Sequence, residues 1–464
     1  MNDIKKNIRS KRFLYTVCFI SLMAIDWTRG SQTGDVWAWT VNMTGVIMAV
    51  ILFSAYPLKE FFEPVYIIYS VIGIMSLGIA YCWWMTHQTV IFRGQLLTAI
   101  LNIWLLGIFV IKMFIDVFFY KTKKICVSKV EILTAVMLLW MLLSINEDIW
   151  PAWYLVIFSL FYHTEYDKES MEMLKQGMLD GIITAFFLLQ GAAFVFRPYD
   201  DVRYNGIYSN CNMNALFYGI VWIAFLLRLF EIRKKEGKKW IQVLCFLFSG
   251  AMIAFCLLTI CRTALVTMFV TGFFYVMFAD FNSLKFKAGK VFRKLVLYFG
   301  VVCISVPITF ASVRYLPPIF HHPVWYDGEY SKYKVHSFDP WNSEKYVSWE
   351  KYLSWLTSRF SPYIRKFLGE DQAGIAVVQA SSFTIGNKTF SKDSEEYDKY
   401  SSVLLRLAFW EYYIRNGTLE GHHASEGHEI QNFNYVWHTQ NIFVQFWYYY
   451  GIPSAILLLV IIAI

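Results

Sequence analysis

The chain has 464 residues, of which 57% are hydrophobic and 16% charged, with a mean hydropathy of +0.42. Soluble domains carry roughly a quarter charged residues, so a soluble globular protein is excluded and lipid is the natural solvent. The formal net charge of +8 lies in short clusters between apolar runs, which argues against a nucleic-acid partner.

The basic N-terminus (Lys5, Lys6, Arg9, Lys11, Arg12) leads into Phe13–Ile25 without a small-residue cleavage site, the pattern of a signal anchor. A bilayer core takes roughly 20 mostly apolar residues per helix. Apolar runs predict spans over 13–28, 36–55, 64–85, 96–118, 131–146, 151–164, 177–196, 213–230, 240–260, 263–280, 295–315 and 440–464. The expected fold is therefore an all-α polytopic membrane protein of about 12 transmembrane helices. The fifth and sixth spans are short, and read either as a tilted pair or as a re-entrant hairpin around Asn146-Glu147-Asp148. Lys112 and Asp116 stand four apart on the fourth span and are placed to pair. The last run reaches Ile464 with no polar tail, as a truncated terminus would.

Lysine and arginine bias sets the orientation. Lys121/Lys123/Lys124/Lys129, Arg233/Lys234/Lys235/Lys238/Lys239 and Lys285/Lys287/Lys290/Arg293/Lys294 all fall on the side of the N-terminus. That side is cytoplasmic, which puts residues 197–212, Cys261-Arg262 and 316–439 outside. Three regions follow: spans 1–11 over residues 1–316, an external cap over 317–439, and the last span over 440–464. A connection of roughly 120 residues is far longer than an idle loop and predicts a folded lid. Its aromatic and aliphatic residues recur at helical spacing from Tyr346 to Phe367, with Pro362 set to kink the run, and again from Leu404 to Ile414, so the cap is expected to be helical. None of the eight cysteines (Cys18, Cys82, Cys126, Cys211, Cys245, Cys256, Cys261, Cys303) lies in it, which excludes a disulfide framework there.

Three external elements could carry chemistry. The first runs from Arg203 through Gly206 to Asn210-Cys211-Asn212; it reads as a capped helix start or as a polar site. The second is Cys261-Arg262-Thr263-Ala264. An arginine at mid-bilayer costs about 2.5–3.5 kcal/mol, so Arg262 either snorkels to the headgroups or holds a phosphate as a fixed cation. The third runs from Arg406 and Trp410 through Gly421-His422-His423 and Gly427-His428 to Trp437-His438-Thr439-Gln440-Asn441. The histidines lack cysteine partners and HExxH spacing, so no metal is expected. His438, at the mouth of the last span, has the titration range of a general base, against the alternative of a hydrogen-bonded surface histidine. Topology places Arg203, Arg262, Arg406 and His438 on one side of the membrane, with Arg314 a weaker addition at the outer end of the eleventh span. The tryptophans of the cap suit either packing or sugar stacking.

In order, spacing and membrane side, these elements resemble the O-antigen ligase and O-antigen polymerase family of bacterial envelope glycosyltransferases. The resemblance is carried by Arg203-x-x-Gly206 with Cys211-Asn212, by Cys261-Arg262-Thr263-Ala264, by Arg406-x-x-x-Trp410, by the Gly421/Gly427 region and by His438-x-Gln440-Asn441. It covers residues 175–464; the earlier spans match only in hydropathy. Cys211 stands where the family has proline, Cys261 where it has serine, and Gln440 where it has a second histidine. The resemblance implies a GT-C-like, metal-independent enzyme without cofactor in the bacterial cytoplasmic membrane. It would transfer a glycan from undecaprenyl pyrophosphate to an acceptor sugar hydroxyl on the outer face. Arg203 and Arg262 would hold the pyrophosphate and His438 would take the acceptor proton. Arg406, Asn212, Asn441, Glu411 and Arg314 would support the acceptor side. A flippase and a chain-length regulator are the implied protein partners. Polymerase and ligase differ only in acceptor, and a transporter of the same lipid-linked glycan is the rival class.

Overall fold

The computed structural model describes residues 2–28, 36–86, 93–120, 129–146, 150–164, 166–200, 203–206, 208, 211–235, 237–278, 288–322, 325–326, 333–334, 338–357, 382–385, 388–391, 409–423, 428–430, 433–436 and 441–464. A helix covers each of the first eleven expected spans: α1 (Asn2–Thr28), α2 (Val36–Phe53), α3 (Pro64–Thr86), α4 (Arg93–Phe118), α5 (Lys129–Leu143), α6 (Trp150–His163), α7 (Lys168–Phe196), α8 (Cys211–Lys234), α9 (Lys239–Leu258), α10 (Arg262–Phe278) and α11 (Ala288–Ile319). Helical residues 349–357 (α12) and 409–415 (α13) follow, then α14 (Ile442–Tyr449) and α15 (Ile452–Ala463). Among the described residues, six helices are long and apolar enough to cross a membrane, and shorter apolar helices accompany them. This is the architecture of a helical membrane protein.

Two expectations are corrected. The last run is not one helix: it breaks at Tyr450-Gly451, because Gly451 takes a φ of +87° that no α-helix accommodates. The segment expected to be a helical cap also carries three short antiparallel hairpins. They pair Trp325–Tyr326 with Tyr333–Lys334, Ser382–Ile385 with Lys388–Ser391, and His428–Ile430 with Phe433–Val436. The middle one alternates Phe383 and Ile385 with polar neighbours on either side of Gly386-Asn387, a hairpin signal that lies between the two helical runs of the cap.

The chain divides into two compact units, 1–106 with 164–353 and 107–163 with 354–464. In the first, α7 packs on α1 and α8, α8 on α9, and α9 on α11, while α10 touches this group more lightly. The centre is aromatic: Phe186, Phe217, Tyr218, Phe225, Phe248 and Phe255 contact one another ring to ring. At one end, α1, α7 and α8 are tied by charge. Asp180 takes both Arg12 and Arg228; Glu231 takes Lys175 at 2.6 Å, Arg228 at 3.2 Å and the Gln176 amide at 3.1 Å. In the second unit, Lys112 and Asp116 pair at 3.3 Å as their spacing foretold. There α15 packs on α5, and Met137, Met141, Phe409, Tyr413 and Tyr448 form the core.

Candidate functional site

The loop between α7 and α8 closes onto the turn between α9 and α10, which brings the first two motif elements together. Arg203 makes the junction. Its Nε donates to the Thr259 carbonyl at 2.8 Å and its Nη2 to Asn212 Oδ1 at 2.7 Å. The Tyr204 amide adds a bond of 3.0 Å to the Leu258 carbonyl. Thr259 is fully buried, and its hydroxyl donates to Cys256 O at 2.7 Å and accepts from the Cys261 amide at 3.3 Å. Arg262, three residues beyond, is the first residue of α10 and is half-buried. Cys211, the first residue of α8, is near enough to Arg203 and Cys261 to feel both electrostatically. Two arginines and the starts of two helices therefore share one end of the unit, and a helix start is itself an anion-binding feature.

The backbone of this corner is shaped by specific side chains. Gly206 has a φ of +57°, and a Cβ on it would lie 2.6 Å from Asn214 Nδ2. Arg197 Nε donates to the Gly206 carbonyl at 2.8 Å, which fixes the turn from beneath. Beneath it, Gln190 donates to the Tyr204 hydroxyl at 3.2 Å and accepts from the Tyr218 hydroxyl at 2.7 Å, while Asn214 donates to Tyr218 at 3.3 Å. Burial pushes the Tyr204 phenol up to about 12, against a smaller opposing effect of the Gln190 bond, so it stays a neutral hydrogen-bonding group. Ile260, between Thr259 and Cys261, has a φ of +50°, an outlier for a β-branched residue and a local strain of about 1–3 kcal/mol.

Asn212 thus supports Arg203 directly. Arg314 is placed otherwise: it is buried, and its guanidinium donates to the carbonyls of Val347 at 2.8 Å, Pro340 at 2.5 Å and Asn342 at 3.4 Å, with the Tyr346 ring 4.6 Å away. It pins the segment that follows α11 onto that helix. The Val347 amide also donates to the Tyr199 carbonyl at 2.9 Å, and Trp349 packs on Phe310 and Tyr352, so this tryptophan is packing.

In the second unit, Asn441 is the N-cap of α14, accepting from the amides of Phe443 at 2.9 Å and Val444 at 3.4 Å. Glu411 pairs with Arg415 at 2.6 Å along α13. The Gly421 turn, with a φ of +82°, lies back to back with Gly451: His422 N donates to Tyr449 O at 3.2 Å and Ile452 N to Thr418 O at 3.0 Å. Asn146 sits beneath, donating to the carbonyls of His422 and Tyr449. His422 itself stacks on Tyr448 and contacts the Asn416 carbonyl at 2.8 Å. Arg406 and His438 lie outside the described residues.

Sequence reading missed Arg197, Thr259, Gln190, Asn214 and Tyr218, and also the Asp180–Arg228 network. Polar residues inside apolar runs were the available signal, since lipid makes each of them costly unless partnered. No protein-family model, curated protein or solved structure matches the chain.

Proposed function

We propose that the protein is a membrane glycosyltransferase of the O-antigen ligase or polymerase type, acting on a glycan linked to undecaprenyl pyrophosphate at the outer face of the cytoplasmic membrane, within a fold of about 12 spans. The observation that carries the reading is the Arg203 clasp, which joins the two arginine-bearing motifs at one end of the helix group. Arg203 and Arg262 hold the pyrophosphate, and their charge stabilises the leaving group as the anomeric bond breaks. His438 takes the proton of the acceptor hydroxyl during in-line attack from the opposite side, which inverts the anomeric centre. Arg406 and Glu411 order the acceptor path. The product is a lengthened glycan, and the released undecaprenyl pyrophosphate carries away the negative charge. The external location follows from the lysine/arginine bias, and the undecaprenyl carrier is what the resemblance to O-antigen ligases and polymerases implies.

The test is transfer by purified protein in detergent, with the lipid-linked glycan as donor. His438→Ala should lower the rate by about 10²–10⁴-fold, the usual weight of a positioned base. Arg203→Gln and Arg262→Gln should weaken use of the pyrophosphate donor while leaving the helical fold intact. Full activity of His438→Ala would overturn the catalytic assignment.

A transporter of the same lipid-linked glycan is favoured by a different pair of observations: the helix broken at Gly451 and the partly exposed ion network around Asp180. The same assay separates the two, because transport yields no covalent product.

A further inference from the structure

At the end of the first unit away from Arg203, helices α8 to α11 line a half-open cavity of about 840 Å³. That lies within the roughly 300–1,000 Å³ usual for ligand cavities. Its wall is apolar, with Leu226, Phe246, Met268, Phe269, Phe273 and Phe299 among the lining residues. The uncharged polar side chains of the lining have partners: Trp222 Nε1 donates to the Tyr298 hydroxyl at 2.7 Å, the Tyr275 hydroxyl to Leu226 O at 3.3 Å and the Gln242 amide to Gly237 O at 3.0 Å. Gly272 keeps the space open: a Cβ there would already stand 3.2 Å from the Trp222 ring.

Among the described residues, the charged groups lining the cavity are cations: Arg233 in the last turn of α8, Lys239 at the start of α9 and Lys294 near the start of α11. No aspartate or glutamate is among the described lining residues. Because successive helices alternate in direction, these three cations fall at the same end. Trp240, 60% exposed beside Lys239, suits headgroup depth. The lysine/arginine bias assigns this end to the cytoplasm.

An apolar cleft whose described charged residues are cations selects its occupant. A free anion has no use for the apolar wall, and a neutral lipid has none for three cations. Basic pockets between membrane helices on the cytoplasmic side are the form that acidic lipid headgroups occupy. We propose that this cavity binds an acidic phospholipid of the cytoplasmic leaflet, its headgroup phosphate at Arg233, Lys239 and Lys294 and an acyl chain along α10. The site is separate from the Arg203 corner, so its failure would leave the transferase reading untouched.

The test is thermal unfolding of the full chain in neutral detergent, titrated with phosphatidylglycerol, phosphatidylcholine or inorganic phosphate. Phosphatidylglycerol should raise the unfolding temperature saturably, and the other two should not. A cation near an acidic headgroup contributes roughly fivefold in affinity, so the triple variant Arg233→Gln/Lys239→Gln/Lys294→Gln should bind on the order of a hundredfold more weakly. The charge-retaining Arg233→Lys should bind nearly as wild type. Gly272→Leu, which intrudes on the apolar wall beside Trp222 with the cations intact, should weaken the effect. An equal shift from phosphatidylcholine or phosphate, or an unchanged response in Gly272→Leu or the triple variant, would overturn the proposal.

Discussion

The contact between α1 and α7 offers a prediction with its own internal control. Gly177 and Gly181 lie four apart on α7, on one face, and α1 lies directly against them. A Cβ at Gly181 would sit 2.6 Å from Phe19 Cβ and 2.7 Å from the Thr16 carbonyl oxygen; one at Gly177 would sit 2.5 Å from Tyr15 Cβ. Carbon atoms settle at about 3.5–4.0 Å, so Gly181→Ala must push the helices apart by about 1 Å. Overpacking of this kind costs about 1–3 kcal/mol, and a backbone neighbour that cannot swing away places it toward the upper end. Alanine's better helix propensity returns about 1 kcal/mol, leaving a net loss of about 2 kcal/mol. Gly191 is on the same helix, but a Cβ there meets nothing within 4 Å. Gly191→Ala should therefore gain about 0.5–1 kcal/mol. Reversible unfolding in mixed micelles measures both, and the signs must be opposite. A Gly181→Ala protein as stable as Gly191→Ala would refute the close-packed α1–α7 contact.

Asp180→Asn should destabilise the protein by about 1–2 kcal/mol, because Arg228, only 15% exposed, loses one of its two carboxylates and keeps Glu231; Arg12→Gln, on the 44% exposed partner, should cost under about 1 kcal/mol in the same unfolding assay. Gly421→Ala and Gly451→Ala each place a Cβ against the carbonyl oxygen of Tyr449 or Leu419 at a positive φ, so each should be more damaging than the Gly191 change, read by expression and unfolding. Asp167 caps α7, and its bonds from the Ser170 amide and then the Ser170 hydroxyl hold its carboxyl below the ordinary range. A depressed folded value stabilises fully above the unfolded value of about 3.9 and loses that contribution as pH falls toward the folded value. The stability gap between wild type and Asp167→Asn should accordingly be level at neutral pH and close in acid.

Helix positions were largely legible in the sequence, since a run of apolar residues long enough for a bilayer has few other uses. The interruption at Gly451 was not, because hydropathy does not distinguish a glycine at φ +87° from one in a continuous helix. Hairpins such as 382–391 lie between the helical runs 346–367 and 404–414, whose periodicity does not extend to them. At the candidate site, Arg203, Gly206 and Asn212 were legible as a motif, and the close approach at Gly206 is the one its type foretold. What holds them was illegible. Thr259 acts through its backbone carbonyl, and Gln190 of α7 meets Asn214 and Tyr218 of α8 only when the two helices are packed. Arg314 carried a site-like signal, an arginine at a helix end, yet its donors go to backbone carbonyls.

The strained residue and the clasp belong to one device. Ile260 occupies a backbone region that disfavours branched side chains, and it is bracketed by the bonds that hold it there. On one side the Thr259 carbonyl accepts from Arg203, and on the other the Cys261 amide donates to the Thr259 hydroxyl. That turn sets where α10 begins, and hence where Arg262 stands. Arg203 therefore has two effects that a simple charge count would merge. It presents a cation at the corner, and it stabilises the turn that places the second cation. Lysine could supply the first but not the second, since one ammonium on a flexible stem lacks the planar fork that reaches Thr259 and Asn212 together. An arginine, rather than any cation, is what this corner requires.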